Sequence, residues 1–227
     1  MRSFLKLSTF ASVLCLSFSA FAETASMNPA MSPAISAARP GTLLADNTIN
    51  RHFGFFIRPD LGFGYLSSSE STGAGDATIS GVAGVAGLSI GGAVAENLIL
   101  GAHIFDAVTS NPNVSLGNAS SNTSNASLTM FGVGPELTYY FMPNNIYLSG
   151  TVALTRMTFN SNGNDANTDW GFGSRVTLGK EWWVSNHWGL GLSGHISYSA
   201  NNDPASNGNG NLMSSWAVGA AFSATYN

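Results

Sequence analysis

The sequence is poor in charge, in cysteine and in long apolar runs. Charged residues make up 9% of the chain, against roughly 25% in an average soluble domain. Its single cysteine, Cys15, cannot form a disulfide within the chain, and a site built from several cysteine ligands is excluded. The most apolar internal stretch, residues 81–95, contains the small-residue pattern Gly87-x-x-x-Gly91. It is shorter than the about 20 residues that a membrane-spanning helix needs, so the helical alternative is weak.

The charge balance is acidic. There are 8 lysines and arginines against 12 acids, which gives a formal net charge of −4. This balance argues against a nucleic-acid partner, because such partners are bound through basic surfaces. Glycine, in contrast, is abundant, with 26 residues. Low charge, much glycine and no long apolar run together predict a membrane β-barrel rather than a helical membrane protein.

The N-terminus has the pattern of a secretory signal. Arg2 and Lys6 supply the positive start, and residues 7–18 form an apolar stretch. Residues 20–22, Ala-Phe-Ala, have the small residues of a cleavage site. We therefore predict a cleaved signal peptide over residues 1–22.

Two features beside the cleavage site complete the N-terminal prediction. Cys15 is lost with the signal, and the leucine before it, Leu14, does not fit a lipoprotein signal, which has a small residue there. Residues 23–50 are rich in Ala, Ser, Pro and Met without a clear period. They are predicted to form a flexible periplasmic extension.

Residues 170–199 contain the clearest structural pattern, two alternating runs joined by a short turn. In the first run Phe172, Val176 and Leu178 share one face, and glycines share the other face with Arg175. This period of two indicates a β-hairpin. Three tryptophans crowd around its turn, as in the aromatic belt of a membrane barrel. The predicted periplasmic belt consists of Trp182, Trp183 and Trp188.

The same alternation recurs along the chain and predicts eight strands. Besides the two strands of this hairpin, they cover residues 53–66, 78–93, 98–108, 128–142, 146–159 and 212–226. The connections after strands 2, 4 and 6 are tight. Those after strands 1, 3, 5 and 7 are long and polar, at residues 67–77, 109–126, 160–169 and 201–211. Outer-membrane barrels alternate in this way between short periplasmic turns and longer extracellular loops.

The predicted fold is therefore all-β, an eight-stranded antiparallel up-and-down transmembrane β-barrel over residues 51–227. A soluble lipocalin-like barrel also has eight strands, but its apolar face points inward. Here the first strand exposes a wide aromatic stripe that includes Phe53, Phe55 and Phe63. Such a stripe suits a lipid surface and not water.

The opposite face of the strands is predicted to line a narrow lumen with charge. The residues on this face are Arg58, Asp60, His103, Glu136, Arg175, Glu181 and His195. An eight-stranded barrel is just wide enough for side chains to fill it, and buried charges must pair. We predict a polar network that plugs the lumen, with Arg58 and Glu136 in contact across it and Arg175 beside His195. The alternative is a polar relay or a small gated pore.

Two short motifs suggest chemistry but do not predict an enzyme. Residues 189–194 match G-x-G-x-x-G, yet they lie inside a strand with no following helix. His195-Ile196-Ser197 is similar to the active-site stretch of outer-membrane lipid A deacylases. The strand phase places His195 in the lumen, whereas a lipid substrate would lie outside. We expect no enzymatic activity, no cofactor and no metal.

The region from residue 51 to residue 227 resembles the small eight-stranded bacterial outer-membrane barrels of the transmembrane and adhesion type. The resemblance rests on strand number, loop alternation, the signal and the turn stretch at residues 179–191. Tyr226, beside the C-terminus, resembles the terminal aromatic signal of that family. The resemblance implies the outer membrane of a Gram-negative bacterium, surrounding lipid and lipopolysaccharide, and transient contact with the barrel-assembly machinery and periplasmic chaperones.

The expected role is structural, or one of surface interaction through extracellular loops rich in Asn, Ser and Gly. The alternative is a small porin-like pore for ions or small solutes, and a lipid A-modifying enzyme is third. The chain is expected to be a monomer with possible extracellular surface ligands and no nucleic-acid partner.

Overall fold

The computed structural model describes residues 52–72, 75–204 and 211–227. The predicted signal peptide and the predicted extension, residues 1–22 and 23–50, lie outside the described residues. Eight long strands form the wall and three short strands extend it. The long strands are β1 (Phe55–Thr72), β2 (Gly75–Ala95), β3 (Leu98–Ser110), β6 (Ala126–Phe141), β7 (Ile146–Ser161), β9 (Gly171–Trp183), β10 (Trp188–Asp203) and β11 (Asn211–Tyr226). The short strands are β4 (Asn113–Leu116), β5 (Ala119–Asn122) and β8 (Asn164–Asn167).

The eight long strands close into an antiparallel barrel. Each pairs with its neighbour along the chain, and β1 pairs with both β2 and β11, which leaves the wall without a free edge. The predicted up-and-down barrel is confirmed. Residues 81–95 are part of strand β2, so the helical alternative is wrong. Among the described residues, no helix is long and apolar enough to cross a membrane.

The two faces of the wall differ as the alternation predicts. Outward side chains are large, apolar and exposed, and Phe63, Phe172 and Phe222 are 72–76% accessible. Inward side chains on the same strands are buried, and they include charged residues such as Arg58 and Glu136. An exposed apolar band around a polar interior suits lipid outside and water-compatible groups inside. A soluble barrel with an apolar interior and a polar exterior is thereby excluded.

The two ends of the barrel are also unequal. The end that carries the short connections after β2, β6 and β9 is called the turn end here. Its turns use asparagines in the left-handed region, Asn97 at φ 60° and Asn145 at φ 51°. Asparagine tolerates this conformation better than most residues do. The opposite end is called the loop end.

All four stretches predicted as polar loops contain strand residues. The 201–211 stretch includes the end of β10, up to Asp203, and the start of β11, at Asn211. The β1–β2 hairpin continues to Thr72 and Gly75, and the 109–126 stretch contains β4 and β5, of which β4 pairs with β2. The 160–169 stretch contains β8, which pairs with β7. The sequence prediction is wrong here because these strands have no apolar alternation. Backbone pairing and polar contacts stabilise them instead, such as Ser69 Oγ at 3.1 Å from Thr78 Oγ1.

Candidate functional site: the barrel lumen

An ion pair between Arg58 and Glu136 spans the lumen. Arg58 lies on β1 and Glu136 on β6, two strands that are not neighbours. Arg58 Nη2 donates to Glu136 Oε1 at 2.7 Å, and both side chains are 3% exposed. The guanidinium also lies 4.3 Å from the ring centroid of Tyr147. The structure thus brings together the two residues that the sequence placed across the lumen from each other.

Glu136 is the centre of this network. Ser89 Oγ donates to Oε2 at 2.8 Å, and Thr138 Oγ1 donates to Oε1 at 2.6 Å. His103 Nδ1 lies 2.8 Å from Oε2. A buried carboxylate needs several such donors to offset its lost hydration. His103 was among the inward residues expected from the sequence. Ser89 and Thr138 did not stand out, because serine and threonine at inward positions are not distinctive.

A second ion pair lies beside the first. Asp60 Oδ1 is 3.6 Å from Arg175 Nη2, and Asp60 Oδ2 is 4.0 Å from His103 Nε2. The Arg175 guanidinium lies 5.2 Å from the centroid of the Phe105 ring. His103 therefore lies between Glu136 and Asp60 and links both acids into one layer of side chains.

His195 and Ser197 point into this layer and do not form a catalytic pair. Ser197 is opposite Arg175 in the strand register, and His195 is opposite Thr177, so Arg175 and His195 are diagonal neighbours. Both ring nitrogens of His195 are buried without a hydrogen-bond partner among the described residues. Nucleophilic catalysis by a serine requires a base within hydrogen-bonding reach. The geometry of these side chains does not provide one.

Aromatic and polar groups close the lumen at the turn end. Glu181 Oε1 accepts hydrogen bonds from Thr225 Oγ1 at 2.6 Å and from Tyr140 Oη at 3.1 Å. The ring of His52, just before β1, stacks on Tyr140 with centroids 3.5 Å apart. His52 Nε2 lies 2.8 Å from Asn145 Oδ1. His52 is fully buried and covers the network on the side of the turn end.

The prediction that Trp183 belongs to the lipid-facing belt is wrong. Its ring lies 5.1 Å from that of His52, and its buried Nε1 has no partner among the described residues. Trp183 is two residues beyond the inward Glu181 on β9, so its side chain also points into the lumen. Trp182 is exposed on the outer face. Trp188 is part-exposed and lies two residues before the outward Leu190, so it shares the outer face, and it packs on Tyr226 with centroids 5.3 Å apart.

The loop-end half of the lumen contains an apolar cluster beside buried polar side chains such as Ser68, Asn201 and Ser215, and the sequence prediction missed this cluster. Its core residues are Leu66, Ala83, Val85, Phe105, Ala107, Leu128, Met130, Ala153, Met157 and Ala217. Ile79, Phe159 and Met213 pack against them. All of these side chains point inward, but apolar residues occur on both faces of these strands, so the alternation alone did not reveal the cluster. A cavity of about 40 Å³ remains among the outermost of these side chains, at Leu128, Met157 and Met213.

Comparison with known proteins supports the fold. No family model and no curated protein matches the sequence. The structure is similar to neisserial surface protein A, with 14% identity over 76% of this chain and 96% of that protein, at a TM-score of 0.53. It is also similar to the outer membrane protein OprG of Pseudomonas aeruginosa, with 17% identity over 79% and 99%, at a TM-score of 0.48. Outer membrane protein AlkL, solved in lipid bilayers, matches with 13% identity over 88% and 96%, at a TM-score of 0.48.

The closed wall, the exposed apolar band and the likeness to neisserial surface protein A define a class. The chain is a small eight-stranded transmembrane β-barrel of the outer-membrane type, as the sequence resemblance predicted. At 14% identity, this similarity establishes the fold only.

Proposed function

We propose that this protein is a sealed outer-membrane barrel that presents its loop-end hairpins for contact with external surfaces. The observation that carries the proposal is the filled lumen. The Arg58–Glu136 pair crosses it at one level, and an apolar cluster that includes Leu66, Met130 and Met157 occupies the next. A solute would have to separate a buried ion pair and then pass an apolar layer. Both steps are costly for an ion.

The loop end has the features of an exposed contact surface. Strands β1, β2, β4 and β5 continue the wall as a small polar sheet, in which β4 joins β2 and β5 joins β4. All four residues of β5 are exposed. Their serine and asparagine side chains provide hydrogen-bond donors and acceptors without net charge. The β4–β5 hairpin suits uncharged polar partners outside the cell, and the neighbouring Glu70 and Asp76 add negative charge to the sheet.

The proposal is tested by comparing the intact chain with a variant that lacks residues 113–122. Cells that express each form at equal surface levels are scored for adhesion to an epithelial monolayer and for aggregation with one another. We expect adhesion or aggregation above the vector control for the intact chain and its loss in the variant. Equal values for the intact chain, the variant and the vector control would refute the surface role.

A small pore is the second candidate, favoured by buried polar atoms in the lumen that have no hydrogen-bond partner within the part of the chain that the structure describes. They include both ring nitrogens of His195, His103 Nε2 and Glu181 Oε2. Buried polar groups without protein partners are commonly bound to water. Planar-bilayer recordings decide between the two functions. We expect no steady conductance from the intact barrel, and regular unitary steps would favour the pore.

A further inference from the structure

The outer wall contains an apolar groove on the half of the barrel nearer the turn end. Its volume is about 560 Å³, and it lies across β6, β7 and β9. The lipid-facing side chains that line it are Leu137, Tyr139, Leu148, Val152 and Val176, each 45–67% exposed. The groove is thus a depression within the exposed apolar band, separate from the lumen network.

Gly150 creates the groove. It lies on β7 directly between Leu137 of β6 and Val176 of β9 in the strand register. A Cβ atom added there would meet no heavy atom within 4 Å. A glycine in the interior of a strand loses packing and often marks a place where another group approaches closely. Here one side chain is missing from an otherwise continuous apolar surface.

A cation lies on the same wall toward the turn end. Lys180 is four residues beyond Val176 on β9, about 13 Å along the strand at 3.3 Å per residue. In the register it is opposite Ile146 and Leu192, both on the apolar outer face. Its Nζ lies 5.7 Å from the ring centroid of Trp182, and among the described residues it has no ion pair with a carboxylate. A lysine at this depth extends along the wall to place its ammonium at the membrane interface.

We propose that the groove is a binding site for one diacyl phospholipid of the leaflet at the turn end, the periplasmic leaflet. An acyl chain lies in the depression at Gly150, and the phosphate meets the ammonium of Lys180 beside Trp182. Arg175 borders the groove, but its side chain is buried in the lumen beside Asp60, so the side chains that face the groove are apolar. This surface suits a hydrocarbon chain, and the cation at its interfacial end is complementary to the phosphate. The site is independent of the proposed surface role.

The test counts phospholipid retained by the purified full-length barrel. The protein is extracted in a mild detergent, washed, and its bound lipid is quantified by mass spectrometry per folded chain. Gly150→Leu fills the groove and Lys180→Gln removes the cation. Gly84→Leu is the matched control, because Gly84 is also an outward glycine with open space around its Cβ, on β2 between Phe63 and Val108.

We expect about one retained phospholipid in the intact chain and in Gly84→Leu. Gly150→Leu should lose it, and Lys180→Gln should weaken retention about fivefold, the effect of about 1 kcal/mol for one lysine near an anionic headgroup. Retention by Gly150→Leu at the level of the intact chain would overturn the proposal. So would retention of lipopolysaccharide in place of phospholipid, or a dimer that Gly150→Leu dissociates, which would make the face a contact between copies.

Discussion

At the scale of single residues, Glu136 is the side chain on which most of the lumen network depends. It accepts from Arg58, Ser89 and Thr138 and lies within hydrogen-bonding distance of His103. Glu136→Ala would leave the Arg58 guanidinium buried without its counter-charge. We expect the free energy of unfolding to fall by about 3–5 kcal/mol. Urea titration of the refolded barrel in lipid vesicles, followed by tryptophan fluorescence, measures this loss.

A double variant separates the unpaired charge from lost packing. Arg58→Met combined with Glu136→Leu replaces both charges by apolar groups of similar volume. Such replacements of a whole pair are often neutral or stabilising, in contrast to the removal of one partner. The double variant should therefore unfold at higher urea than Glu136→Ala alone. A double variant as unstable as the single one would show that packing, and not charge, dominates here.

Glycines of the wall offer a second residue-scale prediction. Gly179 faces the lumen, and a Cβ there would clash with the ring of Tyr147. Gly194 faces lipid, where the nearest heavy atom to such a Cβ is 3.8 Å away. We expect Gly179→Ala to cost about 1–3 kcal/mol in the free energy of unfolding, because overpacking moves Tyr147 from beneath Arg58. Gly194→Ala should be near neutral in the same titration, and equal costs for both would contradict this account.

The sequence could predict the inward charges but not all of their partners. Strand phase and distance from the turns were enough to place Arg58 opposite Glu136, because a narrow barrel brings inward side chains at one height together. The same phase rule places Trp183 inside, beside His52. Crowding of three tryptophans at one turn suggested a belt instead, since composition alone does not distinguish the two faces at the end of a strand.

At the scale of the strands, alternation predicts the wall well and the loop-end extensions poorly. The wall strands must bury one face and expose the other to lipid, so their sequences alternate strongly. Strands β4, β5 and β8 have water on both sides and need no such pattern. Their serine- and asparagine-rich sequences are the same as those of irregular loops, and only the pairing with β2 and β7 shows them to be strands.

The β4–β5 hairpin is expected to be dispensable for the barrel. Pro112 and Thr123 at its base are already joined, since Thr123 N donates to Pro112 O at 3.1 Å. A two-residue glycine link can therefore replace residues 113–122 without moving β3 or β6. The free energy of unfolding should change by less than about 1 kcal/mol, because mainly exposed residues are removed.

The measurement for this deletion is the urea midpoint, together with the shift in electrophoretic mobility between heated and unheated samples. A short deletion within β7 serves as a control that should abolish folding. A large fall in the urea midpoint on loss of the hairpin would mean that the loop-end sheet stabilises the wall. The surface role would then need a test that leaves the sheet in place.

At the scale of the whole molecule, the barrel combines an apolar outside with an inside that holds a charged network toward the turn end and an apolar cluster toward the loop end. The sequence predicted the outer band and the charged network, because charges in a membrane protein are conspicuous. It did not predict the apolar cluster around Phe105 and Met130. Small and apolar residues alternate there on both faces, so the pattern does not show that the inward set forms a packed cluster.

The tryptophans at the two ends of the barrel report its position in the bilayer. Trp182 and Trp188 lie on the outer face at the turn end, and Trp216 lies on the outer face of β11 toward the loop end. Trp183 faces the lumen against His52. In variants that retain one tryptophan each, phospholipids brominated near the headgroup should strongly quench the fluorescence of Trp182, Trp188 and Trp216. They should quench Trp183 weakly, because the wall of the barrel separates its ring from lipid. Strong quenching of Trp183 together with protection of Trp182 would reverse the inner and outer faces of β9, and with them the assignment of Arg175 and Glu181 to the lumen.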